Sequence, residues 1–94
     1  MGETADLQSA VEALWEDARP RLLKRVEALE AIARGPFGEA ERARGLVEAH
    51  TLAGTLGAFG RGAGSDAARE AERALAADDA QALTAAVRGL REAV

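Results

Sequence analysis

The chain has 94 residues, a net charge of −4 and no cysteine. Its length gives room for one domain, residues 1–94, with one modest core. Without cysteine it cannot form disulfides or cysteine-based zinc sites. Its Lys and Arg residues form no block and do not alternate with aromatic residues, which argues against nucleic-acid binding. A single His without Cys cannot build a structural zinc site, and we expect no metal on this chain. The N-terminus is acidic without an apolar leader, and no apolar run nears the ~20 residues that cross a bilayer, so we expect a cytoplasmic protein.

The composition favours helices. Alanine, leucine, glutamate and arginine dominate, whereas isoleucine, valine, threonine and tyrosine are few. The abundant residues are strong helix formers, and the scarce ones favour strands. Gly and Pro residues divide the chain into helical segments joined by short connections, which place successive helices side by side in opposite directions. We therefore predict an all-α fold, an up-down antiparallel four-helix bundle.

The first helix is predicted to begin after a cap at Thr4 or Asp6 and to end near Arg34. Its apolar residues recur at steps of three and four, the pattern of a helix face packed on a core. They are Leu7, Val11, Leu14, Ala18, Leu22, Val26, Leu29 and Ala33. Pro20 interrupts this stripe and either kinks one long helix or begins a second helix near Arg19. We favour one long helix kinked at Pro20, because no Gly or Asn stands just before the proline as a stop signal.

The second helix is predicted from about Glu39 to about Phe59, between the breaks at Arg34–Gly38 and Gly60–Gly64. At ~100° per residue, most of its bulky apolar residues fall in one sector, which should face the core. This sector contains Gly45, Ala49, Leu52, Leu56 and Phe59.

The third and fourth helices follow two further caps. Ser65 or Asp66 is predicted to cap the third helix, which ends near Ala77, and Asp78 or Asp79 to cap the fourth. Their inner stripes are Ala68, Ala71 and Leu75, and Leu83, Val87, Leu90 and Val94.

His50, the only histidine, lies ~140° around the helix from the centre of the predicted core sector, so it should project from the bundle. Beside it on this outer side are Leu46, Ala53, Gly54 and Gly57. A glycine within a helix costs ~1 kcal/mol relative to alanine, so two of them favour a surface that another molecule approaches closely. The alternative is that the glycines permit tight helix packing and the histidine is an incidental surface residue.

The segment His50–Gly60, HTLAGTLGAFG, resembles the signature of histidine-containing phosphotransfer (HPt) domains. That signature has a His, a Leu two residues on, a Gly at the fourth following position and a further Gly soon after. The layout is similar across nearly the whole chain, with an N-terminal helix, the His-bearing helix and two more helices. Leu14–Glu16 and Pro20–Val26 also look like the first helix of some members.

This resemblance implies that the chain is a phosphoryl carrier in a phosphorelay rather than an enzyme. His50 would accept a phosphoryl group on Nε2 from the aspartate of a response-regulator receiver domain, or from a histidine kinase, and pass it to another receiver. Gly54 would leave room for the phosphoryl group and its donor, on a docking surface with Leu46, Ala53 and Gly57.

Many HPt domains carry a Lys directly before this Gly, where it balances the phosphoryl charge, and here that position is Ala53. Lys24 or Arg25 of the first helix are candidates to compensate for it. The resemblance implies no cofactor or metal on this chain, because the receiver supplies Mg²⁺ and its own Lys.

Two hypotheses remain open: a phosphorelay carrier, and a non-catalytic helical adaptor of the same fold that docks a receiver or kinase without phosphotransfer. Ala53 in place of Lys is the feature that favours the adaptor. A truncated kinase-dimerisation hairpin is a weaker third, because four helices already account for the chain. The run Gly62–Ala67 matches a dinucleotide-binding pattern but lacks the preceding strand that such a site needs. We expect a monomer whose partners are receivers or kinases, with no binding to nucleic acid or membranes.

Overall fold

The computed structural model describes the backbone of residues 2–94 and the side chains of residues 6–94. This part of the chain forms four helices: α1 (Gly2–Ala33), α2 (Glu39–Ala58), α3 (Gly62–Ala76) and α4 (Ala80–Ala93). No strand occurs within residues 2–94. The predicted all-α fold with four helices is therefore confirmed.

α1 is a single helix that contains Pro20. This agrees with the absence of a stop signal before the proline. The helix begins at Gly2, so Thr4 and Asp6 lie within it, and the prediction that either residue caps it is wrong. The side chain of Thr4 lies outside the described residues.

The apolar stripe of α1 divides into a buried and an exposed part. The buried part consists of Ala18, Leu22, Val26 and Leu29. Leu7, Val11 and Leu14 are 67, 48 and 61% exposed, so the prediction that they belong to the core is wrong. At ~1.5 Å per residue, the 32 residues of α1 span about 48 Å and the 20 of α2 only about 30 Å. The first turns of α1 therefore extend past the helices that could cover them.

The core lies between the four helices. α2 packs on α1 and α3, and α4 packs on α3 and α1. The largest fully buried side chains are Val26, Leu29, Leu52, Leu56, Leu75, Leu83 and Leu90. All of them belong to the predicted inner stripes, so periodicity identified the centre of the core correctly.

Trp15 closes the core where α1 leaves the other helices. Its side chain is buried, and its ring packs edge-on against Phe59 with the ring centroids 5.4 Å apart. The guanidinium carbon of Arg61 lies 3.8 Å from the centroid of the Trp15 ring, a cation–π contact. This cluster joins α1 to the turn between α2 and α3.

α3 begins at Gly62, so the prediction of a cap at Ser65 or Asp66 is wrong. Ser65 is buried, and its hydroxyl donates a 2.8 Å hydrogen bond to the carbonyl of Ala53 on α2. A Cβ placed on Gly64 would lie 3.0 Å from Leu56 Cδ1. Small residues at the start of α3 thus let it approach α2 closely, where the sequence suggested only a turn and a cap.

The predicted cap of α4 is confirmed at Asp79. Its carboxylate accepts a 3.0 Å hydrogen bond from the N–H of Ala82, which has no partner within the helix.

Candidate functional site

His50 lies in the second half of α2, and its side chain is 83% exposed. The prediction that it projects from the helices is therefore confirmed. Ala49 and Leu52, which are close to His50 in the chain, are fully buried, so the imidazole projects from a helix that is packed against the core.

Among the described residues, the charged side chain in contact with the imidazole of His50 is Glu72 of α3. The distance from His50 Nδ1 to Glu72 Oε2 is 3.3 Å, and the Glu72 side chain is 30% exposed. An ionised carboxylate only accepts hydrogen bonds, so this contact favours the imidazole form that carries its proton on Nδ1. The lone pair of Nε2 then faces solvent. The sequence carries no signal for the proximity of Glu72 to His50, because this proximity depends on how α3 is aligned with α2.

Gly54, one turn after His50, has open space where a side chain would be. A Cβ built on it would have no atom of another element within 4 Å. Two other glycines behave differently: a Cβ on Gly45 would lie 3.0 Å from Leu75 Cδ1, and one on Gly64 equally close to Leu56 Cδ1. Helix packing therefore accounts for Gly45 and Gly64 and does not account for Gly54.

Gly57 is a less clear case. It is exposed, but a Cβ there would lie 3.4 Å from the hydroxyl of Ser65, which is close to an ordinary van der Waals contact. Both packing and external approach remain compatible with a glycine at this position.

Two residues expected on the outer side of α2 are turned inward. Ala53 is only 5% exposed, so the expectation that it lies on a docking surface is wrong. Leu46 is half-buried and packs against the core, so it contributes only an edge to that surface. The reason is that α3 approaches α2 closely, held there by the hydrogen bond from the Ser65 hydroxyl to the Ala53 carbonyl. This close approach buries a wider sector of α2.

The exposed surface around His50 is made of small and apolar residues, and we call it the α2 face. It comprises Ala43, Val47, His50, Gly54, Gly57 and Ala58, all of them exposed. Val47 is 61% exposed, one of the few large apolar side chains to be so. Helical periodicity could have placed Val47 on this face, since at ~100° per residue it lies only ~60° from His50 around the helix.

The predicted charge compensation from α1 does not reach the imidazole. Arg25 pairs with Glu48, with Nη1 3.2 Å from Oε1 and 3.3 Å from Oε2. Lys24 is exposed, and among the described residues neither cation contacts His50. The charged group in contact with the imidazole is an anion, Glu72, so compensation by Lys24 or Arg25 is not supported.

The part of the chain that the structure describes contains no group of side chains for binding a metal ion and no helix for crossing a membrane. No three His, Cys, Asp or Glu side chains among residues 6–94 are grouped closely enough to hold a metal ion. None of the four helices described combines the length and the apolar character that spanning a bilayer requires.

Comparisons of the chain with models of protein families, with curated proteins and with solved structures find no match. The functional interpretation therefore depends on the residues of the α2 face and their geometry.

Proposed function

We propose that this chain is a phosphohistidine carrier of the HPt type. His50 accepts a phosphoryl group from the aspartyl phosphate of a receiver domain, or from a histidine kinase, and passes it to another receiver. The observation that carries this proposal is the open space at Gly54 beside an exposed His50. Glycine inside a helix costs stability relative to alanine, and no internal contact requires it at position 54, so we attribute it to a molecule that approaches His50 from outside.

The transfer itself needs only one nucleophilic nitrogen from this chain. The Nε2 lone pair of His50 attacks the phosphorus of the aspartyl phosphate; the Nε2–P bond forms as the bond from phosphorus to the aspartate oxygen breaks, and the aspartate leaves as a carboxylate. Glu72 keeps the Nδ1 proton in place and orients the ring. The reverse steps deliver the phosphoryl group to a second receiver.

Charge on the transferring group is balanced by the partner in this scheme. No cation of residues 6–94 contacts His50, and Ala53 stands where many HPt domains carry Lys. By resemblance, the receiver contributes Mg²⁺ and a Lys, which stabilise the charge that develops on the phosphoryl oxygens. Receivers and the catalytic domains of histidine kinases operate in the cytoplasm, so the proposal includes that location.

The proposal also includes the finer architecture of an HPt domain, with up-down antiparallel helices and a bend of α1 at Pro20. Two contacts of α2 support opposite directions for α2 and α3: His50 pairs with Glu72 of α3, and the earlier Arg42 pairs at 3.1 Å with Asp78, in the turn that follows α3. Pro20 removes one backbone hydrogen bond, which is the usual origin of a bend.

A non-catalytic adaptor is the second candidate. It is favoured by one observation: in the part of the chain with described side chains, the imidazole contacts an anion and no cation, which does not stabilise a phosphoryl group on Nε2. In that case the α2 face docks a receiver or kinase, and His50 is never phosphorylated.

Incubation with a panel of phosphorylated receiver domains distinguishes the two candidates. We expect an acid-labile, base-stable label on the wild-type chain and none on His50→Gln, while both chains bind the receiver equally. Transfer that survives His50→Gln would contradict the carrier. Binding of a receiver without transfer to the wild-type chain would identify the adaptor.

A further inference from the structure

The imidazole of His50 has a negatively charged environment. Glu72 Oε2 lies 3.3 Å from Nδ1, and the Glu72 side chain is 30% exposed, so solvent screens its charge only in part. The residues three and four positions from His50 on α2, which are its neighbours on the helix surface, carry no charge. They are Leu46, Val47, Ala53 and Gly54. Within residues 6–94, the charge next to the ring is therefore that of Glu72.

The cations of the neighbouring helices are held elsewhere. Arg25 of α1 is paired with Glu48, and on α3 Arg69 Nη1 lies 3.5 Å from Asp66 Oδ1. Arg73, which follows Glu72 in the chain, lines a groove between α3 and α4. In the part of the chain with described side chains, no cation therefore opposes the carboxylate at the ring.

The charge on the ring decides how readily a phosphoryl group leaves it. When the oxygen of water attacks the phosphorus of a group on Nε2, the Nε2–P bond breaks and its electron pair stays on Nε2. With a proton on Nδ1, the ring departs as neutral imidazole and inorganic phosphate is released. Without that proton it would depart as an anion, which is a much poorer leaving group. A carboxylate beside Nδ1 favours the protonated, positively charged ring.

We propose that the negative charge of Glu72 makes phospho-His50 a short-lived intermediate that passes its phosphoryl group on rapidly. This inference rests on the proposed function, since it concerns the phosphorylated form of the same imidazole. Orientation of the ring requires only that Glu72 accept a hydrogen bond, whereas this role requires its charge. The proton held on Nδ1 assists the aspartate of a receiver in the same way as it assists water. Such a carrier transmits a phosphoryl group without storing it.

The lifetime of the phosphorylated chain tests this proposal without a receiver. Phosphoramidate transfers its phosphoryl group to an exposed imidazole and releases ammonia, and phosphorus NMR then follows the loss of the label near neutral pH. Glu72→Gln keeps the size of the side chain and an oxygen that can accept from Nδ1, but removes the charge. We expect phospho-His50 to last about two- to fivefold longer in this variant than in wild type, the range for one exposed charge contact.

The matched control is Glu70→Gln, which removes the same charge from an exposed position two residues away on α3. It should leave the lifetime unchanged. Nitrogen chemical shifts of the phosphorylated ring should show less protonation of Nδ1 in Glu72→Gln and not in the control. Equal lifetimes in wild type and Glu72→Gln, or an equal lengthening in both variants, would overturn the proposal. A wild-type chain that takes no label on His50 would overturn it as well.

Failure of this inference can be told apart from failure of the proposed function. If receivers load the wild-type chain but its lifetime equals that of Glu72→Gln, the carrier stands and the charge of Glu72 has no role in it. If the lifetimes differ as expected but no receiver exchanges a phosphoryl group with the chain, the effect of the charge stands and the carrier does not.

Discussion

At the scale of single residues, the site depends on an imidazole with two distinct surroundings. Nδ1 of His50 faces Glu72 at 3.3 Å, and the other side of the ring faces solvent above Gly54, where a Cβ would touch nothing. In the proposed transfer, the first contact orients the ring and selects Nε2 as the reacting nitrogen. The second leaves space for the proposed donor of the phosphoryl group.

Replacing Glu72 with alanine should change which nitrogen of the His50 imidazole carries the proton more than it changes docking of the partner. Without the carboxylate, we expect the form protonated on Nε2 to gain population and phosphotransfer to slow about three- to tenfold, since the lost hydrogen bond is charge-assisted but exposed. Nitrogen chemical shifts of the ring and transfer rates measure the two effects. Glu70→Ala, an exposed change two residues away on α3, is the control. An unchanged ratio of the two imidazole forms in Glu72→Ala would contradict the positioning role.

The orientation of His50 could be predicted from the sequence because it depends on one helix alone. Helical periodicity states which residues share a face, and the apolar sector of α2 is unambiguous. The contact with Glu72 and the burial of Ala53 could not be predicted in this way. Both follow from the alignment and close approach of α3, which small residues such as Gly64 permit, and no local pattern encodes that distance.

At the scale of helices, periodicity identified the apolar face of each helix correctly but did not show which element packs on that face. The stripe of α1 continues with the same spacing from Leu7 to Leu29, yet its first three residues are exposed. The relative lengths of α1 and α2 decide this, and an exposed stripe has the same spacing as a buried one. Ser65 shows the same limit: it has the chemistry of a helix cap but is used as a buried contact between helices.

The contact between α1 and α4 provides a prediction for pH. Arg91 donates hydrogen bonds of 2.6 and 3.0 Å to the carboxylate of Glu30. The hydrogen bond from Arg91 lowers the pKa of Glu30 below its ordinary value, although partial burial opposes this. A lowered pKa in the folded state stabilises the fold above the unfolded-state pKa, and this contribution is lost as the pH falls through the folded-state value.

Glu30→Gln should therefore lower the melting temperature at pH 7 by about 1–4 °C, a small effect because the pair is partly exposed. The difference from wild type should shrink as the pH falls below the unfolded-state pKa and vanish below the lowered one. Thermal unfolding at a series of pH values checks this, with Glu70→Gln as an exposed control. A difference that persists at the acidic end would show that the substitution acts through packing instead of charge.

At the scale of the whole molecule, the account divides the proposed transfer between two helices. The α2 face around His50 is proposed to dock the partner in phosphotransfer, and Glu72 of α3 to keep the phosphorylated ring reactive. The close approach of α3 to α2, held by the hydrogen bond from Ser65 to the Ala53 carbonyl, brings the two together. Each can still be altered separately, because Gly54 and Glu72 lie on different elements.

The central claim is that the space above Gly54 is kept open for the partner that exchanges a phosphoryl group with His50. The most direct test is the rate of phosphotransfer from a receiver to Gly54→Gln, measured together with its free energy of unfolding. We predict that the neutral side chain raises the free energy of unfolding by roughly 0.5 kcal/mol, because glutamine is a better helix former than glycine. Transfer should nevertheless slow by about tenfold or more, because the side chain obstructs docking.

The matched control is Ala85→Gln, which adds the same side chain at an exposed position of α4. It should fold and accept the phosphoryl group as the wild-type chain does. Transfer to Gly54→Gln at the rate of this control would contradict the account, since the open space beside His50 would then have no role in the approach of a partner.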